Sequence, residues 1–251
     1  MTVDERTSVE QFIQSSGFPL EFAAARQLRS AGFVPRHGRT YEAVSQSGEI
    51  VYREIDVLAE LIDLRLAMPA QVVVECKHAN APWVVIAGDL DREPAVAAIQ
   101  AHAARRRSEA VAAAIRSTLR IEPPLAFAVV ELRTTALKSN QVDAAFDAVR
   151  QVLSAATGAN HLVAKKASTL LHPIVVLDGH LWRYQDGKEL ERVDRARLVW
   201  WGEPAGPVAR VVDVVTREGF GSEYLLELRD ELVATTQAIH AIRITPGAAS
   251  F

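Results

Sequence analysis

Three ionisable residues stand inside two of the most apolar stretches of the chain. Asp56 lies within YREIDVLAE, and Glu75 and Lys77 lie within VVVECKH. Charged side chains are rarely buried unless they are paired or bind a metal, so each of these needs a chemical reason to be there. Two carboxylates and one ammonium group in such surroundings are therefore candidates for a functional site.

Both stretches are predicted to be β-strands, and strand periodicity decides which way their charges point. Side chains alternate between the two faces of a strand, so Glu75 and Lys77 share one face, and Val74, Cys76 and His78 point to the other. The segment AMPAQ predicts a turn before the second strand. If the two strands pair as neighbours, the two carboxylates and the ammonium group converge at one end of a sheet.

This convergence has the composition of a divalent-metal site with a lysine beside it. Carboxylate oxygens suit the hard ions Mg²⁺, Mn²⁺ and Ca²⁺, so Asp56 and Glu75 are candidate metal ligands. Lys77 can hold or polarise a water that attacks phosphorus. The alternative for each carboxylate is a buried ion pair, and the alternative for Lys77 is a strand-end ammonium group that reaches solvent.

A further acidic residue, Glu21, lies in a predicted helix that precedes both strands. The helix starts after SSGFP, where Pro19 suits a first turn, and Gly32 ends it. Glu21 shares a face with Ala24 and Leu28, and this face should turn inward. Glu21 either complements the positive end of the helix dipole or is a third acidic member of the metal site.

This pattern resembles the PD-(D/E)XK, or restriction endonuclease-like, nucleases. The resemblance rests on Asp56 at the end of the run REID, on the E-x-K triplet that follows 19 positions later, and on Glu21 in the preceding helix. It covers roughly residues 17–133. The chain departs from the family pattern at Ile55, where the name-giving proline would stand.

The resemblance implies a core of helix, three strands, helix and strand. It implies that Asp56 and Glu75, helped by Glu21, bind Mg²⁺ or Mn²⁺, and that Lys77 assists the attacking water. The implied activity is metal-dependent hydrolysis of phosphodiester bonds in nucleic acid, with DNA favoured over RNA. The leading rival is a catalytically inactive nuclease-like module that binds nucleic acid or protein. A third interpretation is a plain α/β scaffold with buried ion pairs and no metal.

The whole chain is predicted to be an α/β protein with a mixed central sheet flanked by helices. Strands are expected at 39–47, 50–61, 71–77 and 125–132, and helices at 94–120 and at 139–157, the latter ending at Gly158. The C-terminal part predicts a hairpin turned at Asp178 and Gly179, the strands RLVWW and PVARVVDVVT, and a closing amphipathic helix. Residues before position 17 form either a short helix or a frayed end.

We expect one domain over residues 1–251, with a nuclease-like core at about 17–133 and a C-terminal extension at about 134–251. The predicted helix at 94–120 carries Gln100 and five arginines, which suit a solvated face better than a phosphate-binding patch because they fan around the helix. These arginines are Arg105, Arg106, Arg107, Arg116 and Arg120. The four tryptophans have apolar neighbours and are expected to pack rather than to stack on bases.

Composition narrows the class of protein. An apolar content of 49% and a charged content of 24% are ordinary for a globular protein. The formal net charge of −3 is not typical of proteins that rely on sequence-independent phosphate contacts, although a carboxylate site lowers the net charge. A single cysteine excludes an internal disulfide framework and fits a reducing cytoplasm. We expect a cytoplasmic protein that does not enter a membrane, and homo-oligomer formation stays open.

Overall fold

The computed structural model of the chain describes residues 3–44, 48–88, 118, 125–132, 143–163, 169–200 and 210–244. The helices within these ranges are α1 (Val3–Ser15), α2 (Phe18–Ser30), α3 (Ala144–Val163) and α4 (Ser222–Ile244). The strands are β1 (Phe33–Arg36), β2 (Arg39–Val44), β3 (Ile50–Ile55), β4 (Val57–Leu61), β5 (Ala70–His78), β6 (Trp83–Gly88), β7 (Leu125–Glu131), β8 (Leu170–Asp178), β9 (Leu181–Gln185), β10 (Glu191–Val193), β11 (Arg195–Trp200) and β12 (Arg210–Thr216).

Ten strands form one mixed sheet in the order β1-β4-β5-β8-β12-β11-β7-β6-β9-β10. The neighbours β5 and β8, β8 and β12, β7 and β11, and β6 and β9 run parallel, and the other pairs are antiparallel. Strands β2 and β3 form a separate two-stranded ribbon. The predicted fold class, an α/β protein with a mixed sheet and flanking helices, is confirmed.

The sheet has a hydrophobic core on each face, and β5 contributes to both. Its residue Val73 faces the core that contains α3, whereas Val72 and Val74 face the core that contains α2 and α4. This alternation is the period of two that a strand imposes. It places the odd-numbered residues of β5 on the side of α3, which is the side on which the candidate site lies.

Helix α2 has the predicted limits and the predicted inward face. Pro19 occupies its first turn, and Ala24 and Leu28 are buried. Gly32 follows the helix with φ of +92°, a backbone conformation that glycine adopts without strain. The N-terminal residues form the helix α1 rather than a frayed end.

The predicted strand at 50–61 is two strands separated by a bend at Asp56. β3 pairs only with β2, while β4 leaves that ribbon and pairs with β1 and β5. The break occurs because the chain changes its pairing partner at this residue. The bend therefore places Asp56 at the junction of the ribbon and the main sheet.

The hairpin predicted at Asp178 and Gly179 is wrong. β8 pairs with β5 and β12, and β9 pairs with β6 and β10, so the two strands are not neighbours. The Asp-Gly pair instead lets the chain continue alongside the connection between β5 and β6. Ala79 N donates to Asp178 O at 3.1 Å, and Trp83 N donates to His180 O at 2.8 Å. β8 and β9 therefore each pair with a parallel strand, β5 and β6 respectively, instead of with each other.

The predicted end of the second helix at Gly158 is also wrong, because α3 continues to Val163. Gly158 is required for close packing instead. A Cβ atom at this position would lie 2.6 Å from Cγ of Tyr41 on the ribbon, far inside van der Waals contact. The glycine therefore marks the point at which the β2–β3 ribbon rests on α3.

The sheet interleaves strands from both parts of the chain. β8, from the predicted extension, lies beside β5, whereas β7, at the predicted fourth core strand 125–132, is four positions away in the sheet. The helix and strand that complete the packing around β5 are thus α3 and β8. The predicted strands at RLVWW and PVARVVDVVT and the closing helix are present as β11, β12 and α4.

Some predictions fall outside the described residues. They are the helix at 94–120, apart from the helical residue Thr118, with Gln100 and its arginines, and the side chain of Trp201. Trp83 and Trp200 are buried, which confirms packing for these two, and Trp182 is half-buried. Among the helices of the described ranges, none is both long enough and apolar enough to cross a membrane.

Candidate active site

Asp56 is positioned by the bend between β3 and β4. The antiparallel register of β4 and β5 pairs Val57 with Val74, so one further step places Asp56 opposite Glu75. The Oδ2 atom of Asp56 accepts a hydrogen bond of 2.7 Å from the backbone N–H of Cys76. This bond anchors the carboxylate to β5 where regular pairing has ended. The two predicted carboxylates are therefore neighbours.

Glu75 and Lys77 project from the same face of β5, as predicted. Glu75 is buried with 7% of its surface exposed, and Lys77 is partly exposed. The Nζ atom of Lys77 lies 2.6 Å from Oε1 of Glu75, within an ion pair. Cys76 packs on the opposite face, in the core that contains α2 and α4. The predicted separation of the two faces is confirmed.

Helix α3 supplies a third partner that the sequence reasoning missed. Gln151 Oε1 accepts a hydrogen bond of 2.9 Å from Nζ of Lys77. Its Nε2 donates to Oδ2 of Asp147 at 2.6 Å. The sequence did contain one signal for this residue. Gln151 lies three residues after Ala148 and four residues before Ala155, so it shares a helix face with two residues that are fully or almost fully buried. Gln151 thus holds the ammonium group of Lys77 from the side opposite to Glu75.

Glu21 approaches the same region from α2. Burial, together with the nearby charges of Asp56 and Glu54, raises the pKa of Glu21 to about 7. Helix α2 packs on the face of the sheet opposite to Glu75 and Lys77, so the structure brings together Asp56, Glu75 and Lys77 and places Glu21 within electrostatic reach of Asp56 alone. Glu54, the last but one residue of β3, is an additional carboxylate that the sequence reasoning did not single out.

The carboxylates disfavour one another's ionisation. Burial and the charge of Asp56 raise the pKa of Glu75 to about 7, although Lys77 opposes the shift. Burial also raises the pKa of Asp56, against the lowering effect of the Cys76 N–H group and of Lys77. Burial lowers the pKa of Lys77, but the charges of Glu75, Asp56 and Asp147 outweigh it and the net shift is upward. Negative charge therefore exceeds positive charge at the site.

The site offers oxygen donors to a cation, but not a complete cage. Within the described part of the chain, no three His, Cys, Asp or Glu side chains come close enough to hold a metal ion by themselves. Oδ1 of Asp56 and Oε2 of Glu75 have no hydrogen bond to another described residue. Two carboxylates with free oxygens fit Mg²⁺, which commonly binds one or two carboxylates together with waters and phosphate oxygens.

The sulfur and imidazole groups nearby are used in other ways. Burial raises the pKa of the Cys76 thiol well above its ordinary value, so this side chain is a poor source of thiolate. His78 Nδ1 lies 3.4 Å from Oδ2 of Asp178 at the exposed end of β5. Neither side chain lies on the face of β5 that carries Glu75 and Lys77.

Comparison of the chain with protein-family models, with curated proteins and with solved structures finds no match.

Proposed function

We propose that the protein is a divalent-metal-dependent phosphodiesterase that hydrolyses nucleic acid. The observation that carries the proposal is the pair of neighbouring carboxylates, the half-buried Asp56 and the buried Glu75, balanced by the single ammonium group of Lys77. Like charges this close cost stability unless a cation joins them. A buried ion pair alone explains Glu75 and Lys77 but does not explain the carboxylate of Asp56, whose Oδ1 has no partner among the described residues.

Asp56 and Glu75 are the residues that would hold Mg²⁺ or Mn²⁺, and Glu21 would add negative potential at Asp56. The ion supplies Lewis-acid polarisation of a phosphodiester oxygen when it is bound. Asp56 is kept in place by its hydrogen bond from Cys76 N, so its free oxygen is preorganised. This preorganisation matters because a ligand that must reorient on binding weakens both affinity and alignment.

Lys77 would orient the attacking water and offset the negative charge that develops on the phosphate. Its Nζ is held between Glu75 Oε1 at 2.6 Å and Gln151 Oε1 at 2.9 Å. Two acceptors fix the direction of the ammonium group and leave its third proton for a water or a phosphate oxygen. DNA is the favoured substrate over RNA, and a reducing cytoplasm is the proposed location.

The proposal is tested by incubating the protein with labelled DNA and RNA in the presence of Mg²⁺, Mn²⁺, Ca²⁺ or EDTA. Cleavage is expected with Mg²⁺ and Mn²⁺, little with Ca²⁺ because its looser coordination aligns the water less well, and none with EDTA. Equal cleavage in EDTA and in Mg²⁺ would exclude metal-dependent hydrolysis. Binding without any cleavage would favour the inactive binding module.

Lys77→Met is expected to reduce the cleavage rate by a factor on the order of 10² to 10³, the range typical of a lost group that stabilises developing negative charge. Methionine keeps the apolar stem, so folding is expected to persist. The matched control is Lys188→Met, since Lys188 is exposed in a turn after β9 and lies outside the site. A Lys77→Met protein that cuts at the wild-type rate would remove lysine from the mechanism.

A further inference from the structure

Helix α2 carries a row of aromatic and basic side chains that the proposed hydrolysis does not use. This row, the α2 stripe, consists of Phe18, Phe22, Arg26 and Arg29, all of them exposed. At about 100° per residue the four side chains fall within an arc of about 80°. Phe18 and Phe22 are 49% and 55% exposed. Clustered exposed apolar side chains of this size mark an interaction surface.

The aromatic part of the α2 stripe leads to the candidate active site. The ring centroids of Phe18 and Phe22 are 6.3 Å apart with an interplanar angle of 23°. The ring of Phe22 meets that of His37 edge-on, with centroids 5.4 Å apart. His37 lies between Arg36, which pairs with Leu58, and Arg39, which pairs with Ile55, so the chain passes beside Asp56 at this ring. Phe22 also follows Glu21 directly in the chain.

The cations of the α2 stripe are available to a ligand. Arg26 and Arg29 form no ion pair with any residue in the described ranges. The neighbouring Arg36 has only a long contact of 4.0 Å with the exposed Glu60. Solvent-exposed guanidinium groups pair readily with phosphate oxygens. The surface next to the site thus offers both flat apolar rings and unpaired positive charge, although the chain as a whole has a net charge of −3.

We propose that the α2 stripe binds single-stranded nucleic acid beside the scissile phosphate, with bases on Phe18 and Phe22 and phosphates on Arg26 and Arg29. This inference rests on the proposed function for its position next to the reacting phosphate. Aromatic rings favour a single strand because an unpaired base presents its face, while the faces of duplex bases are already stacked. Stacking of a base on an aromatic side chain is worth about 1–3 kcal/mol by alanine substitution.

A second copy of the chain suits this surface less well. A two-fold contact through the α2 stripe would bring the arginines of both copies into one interface. Four guanidinium groups without acidic partners would then lose water, which is costly. A polyanion removes this cost because its phosphates neutralise the same groups.

The test is a binding measurement that does not depend on hydrolysis. Anisotropy of a labelled 15-nucleotide oligo-dT is recorded in EDTA with the full-length protein, beside a duplex of the same length. The wild type is expected to bind the single strand at least tenfold more tightly than the duplex. The double variant Phe18→Ala with Phe22→Ala is expected to lose at least tenfold in affinity for the single strand and little for the duplex. Phe127→Ala, which removes a 39% exposed ring on β7, is the matched control and should change neither.

The basic half of the α2 stripe is tested through salt dependence. For single strands the slope of log K against log salt changes by about 0.7 per phosphate contact, so Arg26→Gln with Arg29→Gln should reduce it by about 1.4. All four side chains are exposed, so the variants should fold as the wild type does, which circular dichroism checks.

Three results would overturn the inference. They are a wild type that does not bind or prefers the duplex, a phenylalanine double variant that binds like the wild type, and a wild-type dimer that this variant converts to a monomer in light scattering.

Failure of the proposed function would give different results. Stripe-dependent binding without cleavage in Mn²⁺ would leave the α2 stripe standing and remove the hydrolysis. Cleavage that depends on Lys77 but is unchanged in the phenylalanine double variant would support the hydrolysis and exclude the α2 stripe from substrate binding.

Discussion

At the scale of single residues, the proposed metal binding requires an ionised Glu75 in surroundings that resist ionisation. The pKa of Glu75 is raised to about 7 from an ordinary value of 4.5. Between these two values the folded protein binds more protons than the unfolded chain. The free energy of unfolding of the metal-free protein therefore falls as the pH rises through this window. Glu21, with a pKa also raised to about 7, acts in the same direction.

Glu75→Gln is expected to stabilise the metal-free protein above pH 7. The amide keeps the shape and removes the charge that Asp56 opposes, which is worth on the order of 1 kcal/mol even after the ion pair with Lys77 is lost. In EDTA at pH 8 the variant should melt at the same temperature as the wild type or higher. Its loss of stability between pH 5 and pH 8 should also be smaller than that of the wild type.

Mn²⁺ distinguishes a metal site from a buried ion pair. It should raise the melting temperature of the wild type by mass action and that of Glu75→Gln much less. The matched control is Glu191→Gln, which removes an exposed carboxylate paired with Arg183 and should leave both responses unchanged. An ion-pair scaffold predicts that Glu75→Gln is destabilised by about 3–5 kcal/mol and that Mn²⁺ has no effect.

Sequence reasoning reached these residues because their signal is local. Charges in apolar strands and a period of two identify Asp56, Glu75 and Lys77 and place the last two on one face. Gln151 has no such local signal, because what it contacts is 74 positions away in the chain. Glu54 was missed for another reason: it lies only two positions before Asp56, but an exposed glutamate on a strand is ordinary and does not by itself indicate a site.

At the scale of elements, the contact between the ribbon and α3 shows how a glycine can be misread. Glycine commonly ends a helix, so Gly158 predicts a stop. Its role in the fold is to leave room for Tyr41, whose ring is buried against the helix. A glycine that ends a helix and a glycine that makes room for a neighbour look the same in the sequence. Only the position of β2 against α3 shows which role Gly158 has.

Gly158→Ala is expected to destabilise the protein by about 1–3 kcal/mol, because a methyl group would overlap the Tyr41 side chain. The free energy of unfolding in urea measures the change. In a Tyr41→Ala background the same substitution should cost little or should stabilise, since alanine is the better helix former by up to about 1 kcal/mol. An equal penalty in both backgrounds would exclude the Tyr41 contact as the cause.

A second contact between elements is a buried charge network that joins β8, β11, β12 and α4. Asp213 on β12 accepts hydrogen bonds from Arg197 at 2.7 Å and from Tyr224 at 2.9 Å, and His172 Nε2 lies 2.8 Å from it. Arg197 also donates to Glu231 at 3.0 Å. Burial raises the pKa of Asp213, but the charges and hydrogen bonds of Arg197 and His172 together outweigh it and hold the pKa far below its usual range.

Arg197→Met should destabilise the protein by about 3–5 kcal/mol, because Asp213 and Glu231 would stay buried without their cation. The matched control is Arg195→Met on the same strand. Arg195 pairs with Glu227 at 2.6 Å on the surface, and an exposed pair contributes about 0–1 kcal/mol. Urea unfolding measures the loss of stability of each variant. Similar losses for the two variants would show that burial does not increase the contribution of the network to stability.

At the scale of the whole molecule, the parts predicted as core and extension share one sheet. β5 lies between β4, from the N-terminal half, and β8, from the C-terminal half. Composition and turn signals could not reveal this, because parallel pairing over a long separation leaves no local mark in the sequence. The sequence predicted α2, the two strands of the ribbon and β5. It did not show that the helix and strand packed beside β5 would be α3 and β8.

A fragment ending at residue 133 is therefore expected not to fold by itself. It would lack both β8 and α3, and the apolar residues of β5 would be exposed on one edge and one face. Circular dichroism during urea titration should show no cooperative transition for the fragment. Mixing it with residues 134–251 should restore the transition if the single-domain prediction holds. A cooperative transition in the isolated fragment would instead support an independent core.

The register of β5 and β8 pairs each residue with one that is 100 positions later, from Ala70 with Leu170 to His78 with Asp178. Chains are synthesised at about 5–20 residues per second, so β5 waits about 5–20 seconds for its neighbour. Asp56, Glu75 and Lys77 leave the ribosome early but cannot be clamped between sheet and helix until α3 and β8 follow. The order of synthesis thus delays assembly of the candidate site until residue 178 has been made, so a shorter nascent chain carries Asp56, Glu75 and Lys77 without the elements that hold them together.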